Sequence, residues 1–415
     1  MPGKKVKIAY FAEIFPSTSE TWVHHEISQL LQLGFEVRVF ATHPRPTSIA
    51  PELEKFTEIT TYLPELVKSW FDVLRVFLSA AIIKTVFVGI MTDCPSSRQK
   101  LQVFRDIVFT GLFSKYLFTY GPQFTFAHFG GTRANLALIW SMLAGTPFGI
   151  KFHASDVFVR VALLRLKVKR AAKLMTISKF NIEFMRRQYP EIDVSRFEVH
   201  KCGIPLGDYP FYPKFNLGNP IIIISVGRLV PVKGFAVLLR ASRRLLDEGF
   251  PHKVMIYGDG PERNRLMQLI ETMSLDGTVE LMGYVSPANI RAALLGSDIF
   301  VLPSVLHPSE KMEGTPVSLM EAMAVGIPVI ATNIGGVPEL VEHGVHGYLC
   351  QPNDPVSLSE AIRNCSETNE NERRRMLLAA RMKIENDHDV RKLTTYLGHS
   401  WIVRESKGLQ KVCAE

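Results

Sequence analysis

The chain has 415 residues, of which 47% are hydrophobic and 21% are charged. This composition is typical of a globular protein of two or three domains, and it excludes a disordered or fibrous chain. The formal net charge of +8 favours an anionic partner such as nucleotide phosphates, lipid headgroups or nucleic acid. The five cysteines are scattered and form no Cys-x-x-Cys pair, which disfavours a disulfide framework and a zinc site and favours a reducing, cytoplasmic location.

The first half of the chain alternates strand patterns with helix patterns. Strand patterns occur in VKIAYFA, FEVRVFAT, FTFAHFG, FGIKFHAS, KLMTIS and FEVHKCGI, and helical spacing of apolar residues separates them, as in TWVHHEISQLLQLG. Such alternation predicts a parallel sheet covered by helices on both faces. We therefore assign residues 1–208 to a first Rossmann-like domain.

The stretch 209–220 interrupts this rhythm with three prolines and a glycine, and we interpret it as an interdomain linker. A second α/β series follows in IIIISVGRL, HKVMIYGDG, TVELMGYV, DIFVLPS, IPVIATN and HGYLCQP, which predicts a second Rossmann-like domain at 221–385. Residues 386–415 have a mostly helical, polar pattern. Two such domains facing each other would place a ligand at the carboxyl ends of their strands.

Two segments of the first domain bear on membrane contact. Val73 to Met91 is nearly long enough to span a bilayer, but Arg75 and Lys84 interrupt it, so we expect either a buried helix or a helix on the membrane surface. The basic stretch 160–173 contains six cations and no acidic residue. It would hold anionic lipid or a lipid diphosphate, or else form a solvated helix face.

The segment EGTPVSLME carries two carboxylates that we interpret as one site. Thr315 is a plausible N-cap with Pro316 at the first helical position, which places Glu313 on the preceding loop and Glu321 in the second turn. Free amides near Thr315 to Ser318 would attract an anion, and the carboxylates could accept hydrogen bonds from sugar hydroxyls. A capped helix with solvated glutamates is the alternative.

Two cations follow the strand pattern IIIISV. Arg228 and Lys233 lie where they could neutralise a diphosphate, although the loop is not a Walker A motif. The turns at Gly258 to Gly260 and at Gly283-Tyr284 would let a nucleoside approach the backbone closely. Surface charges and sterically required glycines are the alternative interpretation.

Polar residues also follow strands in the first domain. His153 and Asp156 follow FGIKF, and His128 ends FTFAH, where an imidazole could contact a sugar hydroxyl or the reacting centre or could simply be structural. The loop PSTSET would cap a helix or touch substrate. The neighbouring His24-His25-Glu26 lacks the His-Glu-x-x-His spacing of a zinc protease and is predicted to be helix surface.

Together these features resemble the retaining glycosyltransferases of family 4. The matching segments are GRLVPVKGF, GDGP, LPS and EGTPVSLMEAMAVGIPVIATNIGGVPELVEHGVHGYLCQPND, and FPSTSETWVHHEISQL, FAHFGG and FHASD are similar to the exopolysaccharide members of colanic-acid and amylovoran type. The resemblance implies the α/β fold called GT-B: two Rossmann-like α/β/α domains facing across a cleft, with the C-terminal segment 386–415 returning to the first domain. The chain departs from many members by having Ser19-Glu20-Thr21 in place of a glycine pair.

The resemblance also implies an activity, the transfer of a hexose with retention from a nucleotide-diphosphate sugar to a saccharide or polyprenyl-diphosphate-linked acceptor in exopolysaccharide or cell-surface polysaccharide biosynthesis. It implies no cofactor, no metal and no nucleic acid partner, and a cytoplasmic protein that can lie on the inner face of the plasma membrane. The implied catalytic residues are His153, Arg228, Lys233 and Glu313. The implied donor-binding residues are Gly227, Arg228, Lys233, Gly258, Gly260, Tyr284, Val285, Glu313, Gly314, Thr315, Pro316, Val317 and Glu321. The implied acceptor-side residues are Ser19, Glu20, Thr21, His128 and Asp156.

Two other function classes remain open at this point. A nucleotide-sugar epimerase on the same architecture would share the phosphate contacts, and a non-enzymatic basic binding module would explain the charge. No RNA-binding signature, helix-turn-helix or zinc finger is found, and no G-x-G-x-x-G follows the first strand, which disfavours a Rossmann dehydrogenase.

Overall fold

The computed structural model describes residues 5–17, 20–47, 49–66, 80–94, 96–306 and 313–402. They divide into two compact α/β units. The first unit runs to His200 and takes up the chain again from Val390, and the second unit is Lys201–Asp389. The segment 209–220, predicted as a linker, lies inside the second unit, where the amides of Tyr212 and Lys214 donate to the carbonyls of Val325 and Gly326.

Strands form at every segment where the sequence predicts one. In chain order the strands are β1 (Lys7–Ala12), β2 (Glu36–Ala41), β3 (Thr60–Tyr62), β4 (Phe124–His128), β5 (Phe148–Phe152), β6 (Lys173–Thr176), β7 (Phe197–Val199), β8 (Ile221–Val226), β9 (His252–Tyr257), β10 (Val279–Gly283), β11 (Ile299–Leu302), β12 (Val329–Thr332) and β13 (Tyr348–Cys350). The strand β3 is not predicted, because three residues are too few for an alternating pattern to be recognised.

Helices fill most connections between the strands. In chain order the described helices are α1 (Thr21–Gln32), α2 (Ala80–Asp93), α3 (Ser97–Tyr120), α4 (Thr132–Ala144), α5 (Ala154–Val157), α6 (Leu164–Arg170), α7 (Lys179–Gln188), α8 (Phe235–Asp247), α9 (Arg263–Thr272), α10 (Pro287–Leu295), α11 (Val317–Val325), α12 (Val337–Leu340), α13 (Pro355–Glu367), α14 (Glu370–Asp387) and α15 (Val390–Ile402). None of these helices combines the length and apolar character that crossing a membrane requires. Residues 73–79 of the predicted membrane-surface helix lie outside the described residues.

Both sheets are parallel, and the first six strands of each unit have the same relative order; the first sheet adds a seventh strand at its edge. The first sheet has the order β3-β2-β1-β4-β5-β6-β7 and the second has β10-β9-β8-β11-β12-β13. Each is a doubly wound Rossmann-like sheet, as the alternating pattern predicts. In each, the order reverses beside the first strand, between β1 and β4 and between β8 and β11. At such a switch point the loops at the carboxyl ends of the two strands diverge and open a crevice.

The C-terminal helix α15 belongs to the first unit, which confirms the predicted return of the chain. It packs on α1, and its buried Leu397 and Trp401 join the core around Phe35, Phe124 and Phe126. Trp401 stacks on Phe124 with ring centroids 5.3 Å apart. Burying two large apolar side chains ties the helix to this sheet by several kcal/mol, at about 1.5–3 kcal/mol for each side chain.

Candidate functional site

An ion pair occupies the switch point of the second sheet. Lys233 lies on the loop after β8, and Glu313 lies on the loop between β11 and α11. The Lys233 Nζ and Glu313 Oε2 atoms are 2.7 Å apart, and the Ser304 hydroxyl donates to the same carboxylate oxygen at 2.9 Å. Both charged side chains remain partly exposed, so a ligand can reach them. The sequence predicted both residues for one site, and the structure brings them together.

Glycines hold the loops of this site close to one another. Gly335 has a φ of +57°, and a Cβ there would lie 2.0 Å from the carbonyl oxygen of Glu313. Gly258 has a φ of +136°, and a Cβ there would lie 1.9 Å from the carbonyl oxygen of Gly227. Only glycine tolerates both the conformation and the approach. The glycines therefore fix the backbone of Glu313 and of the loop that carries Lys233.

The amino end of α11 points out of the same loop. The helix begins at Val317, one residue later than predicted, with Pro316 as its N-cap. Proline has no side-chain oxygen, so no side chain caps the helix. Thr315, the predicted cap, has a buried hydroxyl without a hydrogen-bond partner among the described residues. The first amides of α11 and this hydroxyl remain available to an anionic or hydroxylated ligand.

Glu321 lies on α11 and contacts residues that the sequence did not single out. The Tyr209 hydroxyl donates to Glu321 Oε1 at 2.7 Å, and the Arg291 guanidinium lies 5.8 Å from the centroid of the Tyr209 ring. Burial raises the pKa of Glu321 to about 7, against the opposing effects of Tyr209 and Arg291. Burial and the neighbouring carboxylate also raise the pKa of Tyr209.

The other predicted donor-binding residues lie on loops at the same sheet edge. Arg228 follows β8 and is exposed, and no carboxylate of the described chain pairs with its guanidinium. Tyr284, which follows β10, is also exposed, and the neighbouring Val285 is half-buried. The amide of Gly258 donates to the carbonyl of Gly283 at 2.8 Å, and the amide of Leu229 donates to that of Asp259 at 2.9 Å. These backbone bonds join the three loops into one rim.

The switch point of the first sheet holds a buried chain of polar side chains. Glu26 on α1 accepts hydrogen bonds from the Tyr10 hydroxyl at 2.8 Å and from His128 Nε2 at 2.9 Å. His128 Nδ1 lies 3.0 Å from His153 Nε2, and Lys151 Nζ lies 3.5 Å from Glu26 Oε2. The positive neighbours hold the pKa of Glu26 well below its usual range despite burial. The prediction that His24-His25-Glu26 is helix surface is wrong, because His24 and Glu26 both face the core.

His153 is enclosed on all sides. Burial, with the positive charges nearby, lowers its pKa well below the usual value, so the ring is neutral at pH 7. It stacks on Phe129 with centroids 4.5 Å apart and lies 5.5 Å from the ring of Trp22. His153 is also the N-cap of α5 and forms a capping box with Asp156. Burial raises the pKa of Asp156 to about 6.

The predicted acceptor loop is anchored by an arginine. Arg133 on α4 makes a bidentate pair with Glu20, with N–O distances of 2.8 and 2.7 Å. Its guanidinium lies 4.6 Å from the centroid of Phe129, a residue with the unusual φ of +72°. Thr21 begins α1 directly after Glu20. Ser19 lies outside the described residues.

Part of the basic stretch 160–173 is buried or paired, while Lys169 and Arg170 are exposed. Lys167 is fully buried and donates to the carbonyls of Gly130 and Ala162 at 2.5 and 2.6 Å. Burial lowers its pKa to about 8. Arg160 pairs with Asp93 and Glu191 at 2.8 and 2.7 Å. The acidic partners come from other parts of the chain, which is why the segment alone looked unpaired.

Several residues of the two sites escaped the sequence-based search. They are Tyr10, Trp22, Glu26, Arg133, Lys151, Tyr209, Arg291 and Ser304. The available signal was weak: Glu26 interrupts the apolar spacing of α1, and a carboxylate on the buried stripe of a helix needs a partner. No local pattern identifies the partner.

The comparisons with known proteins agree with this architecture. Residues 212–382 match the family "Glycosyl transferases group 1". The chain is 28% identical over 392 residues to the colanic acid biosynthesis glycosyltransferase WcaL of Escherichia coli K12, covering 92% of this chain and 96% of that protein. It is also 28% identical over 393 residues to the amylovoran biosynthesis glycosyltransferase AmsK of Erwinia amylovora, with the same coverage.

The fold is also similar to that of solved structures. One of them, HepE of Anabaena in complex with UDP and glucose, matches with a TM-score of 0.68 and 18% identity, over 96% of this chain and all of that one. This similarity, together with the two parallel sheets, identifies the architecture as GT-B. The comparisons support neither the epimerase nor the basic binding module.

Proposed function

Because residues 212–382 match the group 1 glycosyl transferases and the fold is GT-B, we propose that the chain transfers a hexose, with retention, from a nucleotide-diphosphate sugar to a growing saccharide. The observation that carries the proposal is the Lys233–Glu313 pair at the switch point of the second sheet. The pair places a cation that can bind phosphate beside a carboxylate that can accept hydrogen bonds from sugar hydroxyls. Both lie at the sheet edge where open α/β folds bind nucleotides.

The donor would replace the contacts that these residues make with one another. The diphosphate would bind Lys233, Arg228 and the free amides of α11. Glu313 would accept hydrogen bonds from hydroxyls of the sugar. Glu321 would accept hydrogen bonds from the ribose hydroxyls. The base would lie against the rim at Gly258, Gly260, Tyr284 and Val285. Loss of one preorganised charge of this kind costs on the order of 10² to 10³ in rate.

The proposed reaction balances without a cofactor or a metal. The bond between the sugar C1 and the diphosphate oxygen breaks, and the acceptor oxygen bonds to C1 on the same face. The acceptor proton passes to the departing phosphate, whose growing negative charge Lys233, Arg228 and the α11 amides would stabilise.

The first unit would bind the acceptor. Glu20 and Trp22 are half-buried at its switch point, and the Trp22 indole N–H has no hydrogen-bond partner among the described residues. The acceptor-side residues Asp156, His128 and His153 are buried close to them. We propose a saccharide, free or linked to polyprenyl diphosphate, from exopolysaccharide or cell-surface polysaccharide synthesis. The similarity to proteins of colanic acid and amylovoran biosynthesis supports this class.

A lipid-linked acceptor would require contact with the inner face of the membrane. Exposed apolar side chains lie on α2 and α3, among them Phe87, Met91 and Leu101, with the exposed cations Arg98 and Lys115 on α3. This combination fits an anionic lipid surface better than the basic stretch 160–173, in which Arg160, Arg165 and Lys173 pair with carboxylates and Lys167 is buried. Co-sedimentation with anionic and with neutral vesicles tests the contact: no difference between them would contradict it.

The donor proposal is tested first by binding and then by transfer. Nucleotide sugars with different bases and hexoses are screened by thermal shift, since a ligand at 100 times its dissociation constant adds about 2.7 kcal/mol. Donors that stabilise the protein are then incubated with short saccharide acceptors, with and without EDTA, and the anomeric configuration of the product is read by NMR. Stabilisation by none of them, or transfer that requires a metal or inverts the anomeric centre, would contradict the corresponding part of the proposal.

A further inference from the structure

One hydrogen bond reaches the candidate donor site from the segment that precedes the first strand of the second sheet. The Tyr209 side chain is buried, and its hydroxyl donates to Glu321 Oε1 at 2.7 Å. Glu321 Oε2 makes no hydrogen bond with the described residues, and Glu321 itself is half-buried. Because an ionised carboxylate offers about four lone pairs, the bond to Tyr209 leaves most of them for hydroxyls of a ligand.

The backbone of Tyr209 is tied to the far end of the helix that carries Glu321. Arg381 on α14 donates through Nη1 to the carbonyl of Tyr209 at 2.8 Å and to the carbonyl of Ala324 at 2.7 Å. Ala324 lies in the last turn of α11, where helix carbonyls lack intrahelical partners. One guanidinium therefore joins the segment of Tyr209 to α11.

Close packing after Tyr209 keeps this connection in place. Gly326, at the end of α11, has a φ of +89°, and a Cβ there would lie 2.7 Å from the ring of Phe211. The amide of Lys214 donates to the carbonyl of Gly326 at 2.8 Å. The segment and the helix thus form one packed piece, in which the Tyr209 hydroxyl is a fixed donor to Glu321.

Two described side chains act on the charge of Glu321 besides burial. Burial raises its pKa, whereas Tyr209 and Arg291 on α10 oppose that rise. From α14, Arg381 pairs with Glu385 instead, and the strands β11 and β12, which also pack on α11, carry no charged residue. The hydrogen bond from the Tyr209 hydroxyl therefore favours the ionised carboxylate.

We propose that Tyr209 is a positioning residue for the donor: its hydroxyl holds the Glu321 carboxylate in the orientation that receives the ribose hydroxyls of the nucleotide. Tyr209 has this role only if Glu321 binds the ribose, so the inference rests on the proposed function. A glutamate side chain has several rotatable bonds, which a ligand would otherwise have to order on binding. Tyr209 orders them beforehand, in the free protein.

The first measurement needs no ligand. Glutamate is labelled with ¹³C at the carboxyl carbon, the Glu321 signal is assigned by its absence in Glu321→Gln, and its titration is followed in the wild type and in Tyr209→Phe. Tyr209→Phe keeps the ring and removes the hydroxyl, so the midpoint of the Glu321 titration is expected to move to higher pH. Tyr212→Phe, which removes an exposed hydroxyl of the same segment, is the matched control and should titrate like the wild type.

The wild type provides a check that does not depend on the variant. One tyrosine Cζ signal should follow the titration of Glu321 with the same midpoint, since the Tyr209 hydroxyl donates to the group that loses its proton. An unmoved midpoint in Tyr209→Phe would overturn the inference. So would the absence of any such tyrosine signal in the wild type, even if Tyr209→Phe failed to fold.

Nucleotide affinity is the second readout, measured by calorimetry with UDP, GDP, ADP, CDP and dTDP. For the tightest of these, Tyr209→Phe is expected to weaken binding roughly threefold to tenfold at pH 9, because one flexible side chain must then be ordered on binding. The loss should be larger at pH 6.5, where fewer of the variant's Glu321 carboxylates are ionised. In the Glu321→Ala background, Tyr209→Phe should cause no further loss.

The outcomes separate this inference from the proposed function. The same loss of affinity with and without the Glu321 carboxylate would overturn the positioning role of Tyr209, because the hydroxyl would then act by another route. If none of the nucleotides binds the wild type, the proposed function fails, whatever the titration shows. If the wild type binds one of them and Tyr209→Phe binds it equally well, only the positioning role fails.

Discussion

The two switch points have the same topology and opposite character. In the second sheet the crevice holds Lys233 and Glu313, whose side chains are 18% and 12% exposed, beside the exposed Arg228 and an uncapped helix end. In the first sheet it holds Glu26 and His128, whose side chains are 5% and 2% exposed, packed under aromatic rings. One strand order thus supports both an open crevice and a closed one. Loop residues, and not topology, decide which develops.

Replacing Lys233 by alanine tests the open crevice most directly. Lys233→Ala is expected to lower kcat by about 10² to 10³, because a preorganised cation at the leaving group is lost. The measurement is steady-state transfer from the nucleotide sugar. Lys253→Ala, which removes an exposed lysine of β9, is the matched control and should behave like the wild type. Near-normal turnover by Lys233→Ala would show that this crevice of the second sheet does not stabilise the leaving group.

Glu321 tests whether the buried end of that crevice binds the donor. Glu321→Gln is expected to lower kcat/KM for the donor by roughly tenfold to a hundredfold, since hydrogen bonds to a charged group contribute about 1.5–3 kcal/mol each. In the wild type, kcat/KM should rise as the pH rises through about 7, where the carboxylate loses its proton. The variant should lack this rise. A pH profile shared by both proteins would show that Glu321 does not meet the donor.

The same substitution has a predictable effect on stability. The raised pKa means that the native carboxyl keeps its proton up to about pH 7, while the unfolded chain releases it near 4.5. Between these values the native state binds more protons, so this group lowers the free energy of unfolding as the pH rises. The Tm of Glu321→Gln should therefore gain on the wild type between pH 5 and pH 8. Glu271→Gln, at an exposed position on α9, should show no such gain.

Arg133 tests the assignment of the first unit to the acceptor. Arg133→Met keeps much of the apolar stem but breaks the bidentate pair with Glu20. We expect the KM for the acceptor to rise about tenfold, the equivalent of roughly 1.4 kcal/mol, and the KM for the donor to stay unchanged. The two constants are measured with the other substrate saturating. A change confined to the donor would reverse the assignment of the two units.

Replacing Thr315 is expected to have the smallest effect on activity. It also separates an effect on donor binding from an effect on folding most clearly. Its hydroxyl is buried and unpartnered among the described residues, so Thr315→Val removes no hydrogen bond from the free protein. Stability should stay the same or rise by up to about 1 kcal/mol. Donor affinity, measured by calorimetry, should fall several-fold. Unchanged affinity would mean that this hydroxyl does not bind the donor.

The regular elements were predictable because each is encoded over a few neighbouring residues. The strand patterns from VKIAYFA to HGYLCQP all form strands, and both sheets are parallel, as the alternation of strands with helices indicated. The strand β3 was missed because its three residues are too few to show an alternating pattern. The predicted cap of α11 was misplaced by one residue, since the local preference of threonine for the N-cap does not show whether its hydroxyl caps the helix.

The amino-acid sequence by itself determined the two Rossmann-like sheets, the cations and carboxylates that follow their strands, and the positions of the turns. Only the tertiary structure decided which charges are paired. Lys233 meets Glu313 across 80 positions, His128 meets Glu26 across 102, and Arg133 meets Glu20 across 113. Periodicity and capping act over one or two turns of chain, whereas these contacts exist because parallel strands bring their carboxyl ends to one edge, where burial and charge make each partner necessary.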